Sequence, residues 1–142
     1  MGLSTTEFIE RHRAAHDAYN SGDNAATEAF VAPDFQHTDY GRGVSSTSRA
    51  EFRGWLDTHR EMSSDMQLVD RTYLASGDWV IARFRAVGHQ DGPLGPFPAS
   101  GKPYSIDVCE VWRFDSSGLA VEGYDYSDFA STAVQLGHLQ LG

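Results

Sequence analysis

Between Tyr104 and Asp128 apolar and polar residues alternate in two runs joined by Asp115, Ser116, Ser117 and Gly118. That is the pattern of two strands folded back on each other. A hairpin turn at those four residues predicts Phe114 opposite Leu119, Glu110 opposite Gly123 and Val108 opposite Asp125. One side then carries Tyr104, Ile106, Val108, Glu110, Trp112 and Phe114 with Leu119, Val121, Gly123, Asp125 and Ser127. This side has to meet a core, yet it holds two acids. A buried carboxylate is costly unless it is paired or hydrogen-bonded. Either a bulge or a different turn length slips the register by one residue and returns an acid to water, or Glu110 and Asp125 face a pocket that uses them. Two carboxyls set diagonally across a strand pair lie roughly 7 Å apart or less, near enough for one to raise the pKa of the other.

The rest of the chain has to build the wall of such a pocket. Its 142 residues, 40% hydrophobic and 12% aromatic, suit a single domain over 1–142. Twenty acidic against eleven basic residues give a net charge of -9 with no basic stripe, so nucleic acid and anionic membrane are not expected partners. No apolar run approaches about 18 residues and the N-terminus lacks a basic-then-apolar signal, which predicts a soluble, cytoplasmic protein. Cys109 is the single cysteine and cannot form an internal disulfide.

Ser4 and Glu7 make a capping box ahead of Phe8, His12, Ala15 and Tyr19, which recur at helical spacing until Asn20, Ser21 and Gly22. Asp23 caps a second, short helix expected to run through Ala29, Phe30 and Val31 to Pro33. Phe35 to Thr38 reads as a strand stub, followed by a polar loop. Ser48 and Glu51 repeat the capping box before a third helix with Phe52, Trp55, Leu56 and His59 on one stripe. Met66 to Ala75 and Trp79 to His89 form a long hairpin. Gly88 to Pro103 holds four glycines and four prolines, a loop of the length that often serves as a lid or binding loop. Ser127 or Asp128 caps a last helical turn that stops at Gly137. Helices on one side of an antiparallel sheet make an α+β domain.

Other residues carry chemistry less directly. His37 follows the helical hairpin and is either a core histidine or a proton-transfer group beside the acids. His89, at a strand end before the glycine and proline loop, is a candidate for the cavity mouth. Tyr19, Trp55 and Trp112 are core or substrate-contacting aromatics. His12 and His16 stand at i and i+4, a spacing that can hold a metal, but no third ligand accompanies them in sequence. Cys109 has no recognisable base partner. No nucleophile-elbow, phosphate-cradling or dinucleotide motif is present, so neither nucleotide nor metal is expected as cofactor.

Four patterns together resemble one family. They are Phe35-Gln36-His37 with Gly41-Arg42-Gly43; Gly88-His89-Gln90-Asp91-Gly92-Pro93 with Gly95 and Pro98-Ala99-Ser100-Gly101-Lys102; Glu110-Val111-Trp112-Arg113 with Tyr124-Asp125-Tyr126-Ser127-Asp128; and Gln135-Leu136-Gly137. In this order they are similar to the SnoaL-like polyketide cyclases of the nuclear transport factor two-like and ketosteroid-isomerase-like superfamily. The resemblance implies a cone-shaped, curved antiparallel sheet wrapped round the N-terminal helices, an apolar internal pocket, and a homodimer or higher oligomer packed through the sheet. It places the family's acid/base aspartate at Asp125 and a second aspartate at Asp128, which also reads as a helix cap. It departs at Glu110, where the cyclases carry a histidine.

The chemistry expected is cofactor-independent acid/base work on an apolar carbonyl compound, with cyclisation by intramolecular aldol closure. Asp125 is the expected general base and Glu110 the protonated donor to the oxyanion, with His37 as a further catalytic candidate and His89, Tyr19, Trp55 and Trp112 at the substrate. Hydrolysis of an epoxide or ester by the same acids, and a non-catalytic binding or dimerisation module, are the alternatives.

Overall fold

The computed structural model describes residues 2–142. Its elements run α1 (Thr5–Asn20), α2 (Asn24–Glu28), β1 (Val31–Asp39), β2 (Val44–Ser46), α3 (Arg49–Met62), β3 (Gln67–Ser76), β4 (Trp79–His89), β5 (Pro103–Phe114), β6 (Ala120–Tyr126) and α4 (Phe129–Gln135). The six strands form one open sheet in the order β2-β1-β6-β5-β4-β3. This is the α+β architecture the sequence predicts, with α1 laid against β3 and β4 and α3 against β1.

Caps start the helices where the sequence puts them. Ser4 and Glu7 form the reciprocal box, and Asp23 accepts from the Ala26 N–H at 3.0 Å. At α3 the box is only half made. Ser48 accepts from the Glu51 N–H, while the Glu51 carboxylate turns back to Thr47 rather than to Ser48.

Two expectations are corrected. The second helix stops at Glu28, and the stub around Phe35 is a nine-residue strand that begins at Val31 and includes Pro33. Val31 and Ala32 are buried because β1 runs parallel to β6, a pairing the hairpin-only reading did not contain. Between Val31 and Gln36 the register slips, and Pro33, which has no N–H to offer a ladder, lies inside that irregular stretch. The polar loop also holds β2, paired antiparallel with β1.

The register of β5 on β6 differs from the expected one by two residues. Leu119 joins the turn, and a bulge between Arg113 and Phe114 and their partners takes Val121 out of the ladder. Each slip alone would turn Asp125 to the other face; together they restore it. Trp112 now faces Gly123, and Glu110 lies directly opposite Asp125 rather than diagonal to it. A Cβ at Gly123 would come within 2.7 Å of Trp112 Cδ1 and 2.8 Å of Phe35 Cζ. Only a residue without a side chain lets the indole lie across β6.

A second bulge, in β3 after Val69, bends the other edge, with Asp70 held at φ 53 and paired to Arg85. The curved sheet closes its concave face on Phe8, Tyr19, Phe35, Phe52, Leu56 and Trp112.

Candidate active site

Glu110, within β5, and Asp125, near the end of β6, project into a cavity of about 110 Å³. Its wall is mostly apolar, with Leu56, Met62, Met66, Phe84 and Val108 among the lining residues. Both acids are buried, at 6% and 5% exposure, so the face they share is the core face.

Their surroundings differ, and that difference sorts their protons. Glu110 Oε1 accepts from His12 Nε2 at 2.7 Å and from His16 Nε2 at 2.8 Å. His16 Nδ1 lies 2.7 Å from the Tyr73 hydroxyl, so this ring is hydrogen-bonded at both nitrogens. Burial pushes the Glu110 pKa up, but the His16 hydrogen bond and charge outweigh it and hold the carboxyl below its ordinary value. Asp125 Oδ2 accepts from His37 Nε2 at 2.5 Å. Burial, then the negative charge of Glu110, push Asp125 up to about 7, against the pull of His37. Thus Asp125 is the acid that keeps a proton toward neutrality and Glu110 the one that stays ionised, whereas the sequence predicts Glu110 as the protonated partner. The two carboxyls are direct cross-strand partners, so the charge on one governs the proton on the other.

The three histidines were only partly foreseen. His37 is fully enclosed behind Asp125, with its Nδ1 unpartnered; burial opposes its cation, but the Asp125 hydrogen bond and charge prevail and raise its pKa. His12 and His16 find in Glu110 the third donor that the sequence did not show, the three ligand atoms lying within 4.8 Å of one another. The geometry fits hydrogen bonding better than a cation, because both imidazole nitrogens sit at N–H···O distance from one oxygen. The other nitrogen of His12 also lacks the acceptor that a metal-bound imidazole normally has. His12 stacks on Trp112 at 4.3 Å, and burial, then the nearby His16, drive its pKa well below the ordinary value, so it is a neutral donor. The signal for this clamp was the i, i+4 pair on the buried face of α1; its partner stands 94 residues away and no local spacing encodes that.

Of the expected substrate-contacting residues, Tyr19, Trp55 and Trp112 line the cavity. Tyr19 donates to Met66 Sδ at 3.1 Å, and burial pushes its hydroxyl up to about 12. The Trp55 indole N–H donates to Asp39 Oδ2 at 3.0 Å. His89 does not join them: its side chain is 58% exposed and pairs with Asp65. Asp128 is the exposed N-cap of α4, accepting from the Ser131 N–H at 3.1 Å. The loop after β4 contributes Leu94 to the cavity wall, and Gly92 abuts the Glu61 carbonyl so closely that a Cβ would collide with it.

Comparison with known proteins adds the family. The family model described as SnoaL-like domain matches residues 12–123, a span that includes His12, His16, His37 and Glu110 and ends two residues before Asp125. The chain belongs to the SnoaL-like family. Among solved structures, AclR, a proposed hydroxylase from Streptomyces galilaeus, superposes with a TM-score of 0.85 at 22% identity, over 98% of this chain and 86% of that one. A proposed polyketide cyclase from Xanthomonas campestris pv. campestris gives 0.85 at 23% identity, over 93% and 98%. A protein of ketosteroid isomerase-like fold from Catenulispora acidiphila, solved with trimethylamine, gives 0.77 at 21% identity, over 94% and 95%. No curated protein matches the sequence. Identities this low speak for the SnoaL-like, ketosteroid-isomerase-like fold alone, and a hydroxylase and a cyclase on one scaffold show that the fold does not choose the reaction.

Proposed function

We propose that the protein is an acid/base enzyme that moves a proton at the carbon next to a carbonyl of a compact apolar substrate, using no group beyond its own side chains. The observation that carries this reading is the Glu110–Asp125 pair: two carboxyls in register on one apolar wall, one clamped as an anion by His12 and His16, the other raised to about 7.

A general base works best when its pKa lies near the working pH. In its ionised form Asp125 is a far stronger base than an ordinary carboxylate, because the fixed charge of Glu110 disfavours a second charge beside it. Asp125 takes the activated proton, the new O–H stays hydrogen-bonded to Glu110, and His37 keeps the carboxyl turned toward the cavity. The proton then returns to another atom of the same substrate. An enolate formed this way supports isomerisation or intramolecular aldol closure, the latter in keeping with the cyclase names among its structural relatives.

The cavity narrows the substrate. About 110 Å³ lies below the roughly 300–1,000 Å³ typical of drug-sized ligands and near the ~150 Å³ that holds one benzene ring. A molecule with a single ring fits this description.

The test uses phenylacetone, a neutral ketone with acidic methylene protons, in deuterated buffer at pH 7.5, with exchange followed by proton NMR. The wild type should accelerate exchange, and Asp125→Asn should remove about 10² to 10⁴ of that acceleration. An Asp125→Asn protein that exchanges as fast as wild type ends the assignment.

A further inference from the structure

We propose that the cavity is built for an apolar carboxylic acid, and that Arg42 holds its carboxylate. This rests on the acid/base reading of the same cavity and adds to it the charge class of the substrate.

Arg42 is the only lysine or arginine among the cavity-lining residues. It stands in the turn between β1 and β2, where its main-chain N–H donates to Asp39 Oδ1 at 3.2 Å. Gly41 beside it packs so tightly on Ser127 that a Cβ would run into the hydroxyl. The turn is therefore fixed, and the guanidinium is carried to the cavity wall.

What sets Arg42 apart is the lack of an acceptor. Six arginines are half-buried. Arg49 and Arg60 donate to main-chain carbonyls, and Arg53, Arg71 and Arg113 pair with acids. Among the described residues the Arg42 guanidinium has neither a hydrogen-bond acceptor nor an ion-pair partner. Asp39, the nearest acid, is already occupied: one oxygen takes the Arg42 main-chain N–H, and the other takes the Trp55 indole at 3.0 Å with His59 at 4.0 Å. Burial weakens the Arg42 cation more than Asp39 supports it. A planar fork of five donors, half-buried at the cavity wall without a protein acceptor, is matched by a bidentate oxyanion. A flat carboxylate suits the small cavity, whereas a phosphate dianion would bring more negative charge close to Asp39 and Glu110.

The location also fits the chemistry. Asp39 is the β1 partner of Asp125, and the Tyr40 N–H donates to the Asp125 carbonyl at 2.9 Å. A carboxylate held on Arg42 would anchor one end of a small molecule at the same end of the sheet as the proton-exchanging acid.

Benzoate and its neutral isostere benzamide are the probes, titrated into wild type, Arg42→Gln and Arg42→Lys by calorimetry at pH 8. Wild type should bind benzoate about tenfold or more tightly than benzamide, Arg42→Gln should erase that preference by weakening benzoate alone, and Arg42→Lys should keep part of it. Equal binding of the two probes to wild type, no benzoate binding at about 10 mM, or unchanged benzoate affinity in Arg42→Gln overturns the proposal. Should Arg42→Gln fail to fold, arginine side-chain NMR of the wild type decides: benzoate must shift the Arg42 Nε–H signal and benzamide must not. Exchange of neutral phenylacetone needs no anion site, so failure here leaves the acid/base reading intact, and loss of that exchange leaves the benzoate result standing.

Discussion

For single residues the decisive quantity is the proton held by Asp125. A carboxyl that titrates near 4 in the unfolded chain and at about 7 in the folded one binds a proton in the native state that the unfolded state has already released. The stability this contributes is complete below about pH 4 and is lost as pH rises through 7. Asp125→Asn, which can still accept from His37 and donate to Glu110, removes that loss. Urea denaturation should show the variant gaining on wild type by on the order of 2 kcal/mol between pH 5 and pH 8.5; parallel stability curves would mean that Asp125 is not raised. The clamp predicts a kinetic counterpart. His16→Gln takes a donor and a positive charge from Glu110, so the state in which both carboxyls are ionised is held less well. The apparent pKa of phenylacetone exchange should move up, by as much as about one unit, and a profile that moves down would separate His16 from the acid pair. Sequence made the two acids legible because they broke an apolar alternation. It hid which of them keeps the proton, since that depends on histidines delivered by α1 and β1, elements far away in sequence.

At the level of elements, the strands and caps were readable wherever a local rule governs them. The Ser4 and Asp23 caps, the β3–β4 hairpin and the loop after β4 follow from capping residues, alternation and turn composition. What escaped was decided by partners distant in sequence. Val31 and Ala32 look like the end of a helix until β6 is there to pair with them in parallel, and the β5–β6 register was misjudged because a turn slip and a bulge cancel in parity. Gly123 is the residue that locks this register. In Gly123→Ala the added methyl meets the Trp112 ring on one side and Phe35 on the other, both in the core, with neither free to withdraw. Denaturation should show a loss of about 1–3 kcal/mol, the usual range for overpacking a well-filled interior. Because Trp112 also stacks on His12, the same substitution should slow proton exchange, whereas Gly77→Ala, in the open β3–β4 turn, should leave exchange unchanged.

The molecule as a whole spends one face of its sheet on the cavity and leaves the other to solvent. That outer face is not uniformly polar. Leu74, Ile81, Val111 and Tyr124 form one cross-strand row, and Tyr40 and Tyr126 stack beside it with ring centroids 5.0 Å apart and exposures of 56% and 47%. Exposed aromatic and aliphatic side chains gathered on a flat surface are what an association surface needs, and a specific dimer covers about 800 Å² on each partner. We propose that two copies pack through this face, which would leave both cavities facing away from the contact. Sedimentation velocity at micromolar concentration should then report twice the 15.6 kDa chain mass. Tyr126→Asp should place a charge without a partner in the contact and give the single-chain mass with an unchanged circular dichroism spectrum. Since Tyr126 points away from the acids on its own strand, that monomer should keep its phenylacetone exchange. A wild type that sediments at the single-chain mass at every concentration would assign this apolar row to some role other than self-association.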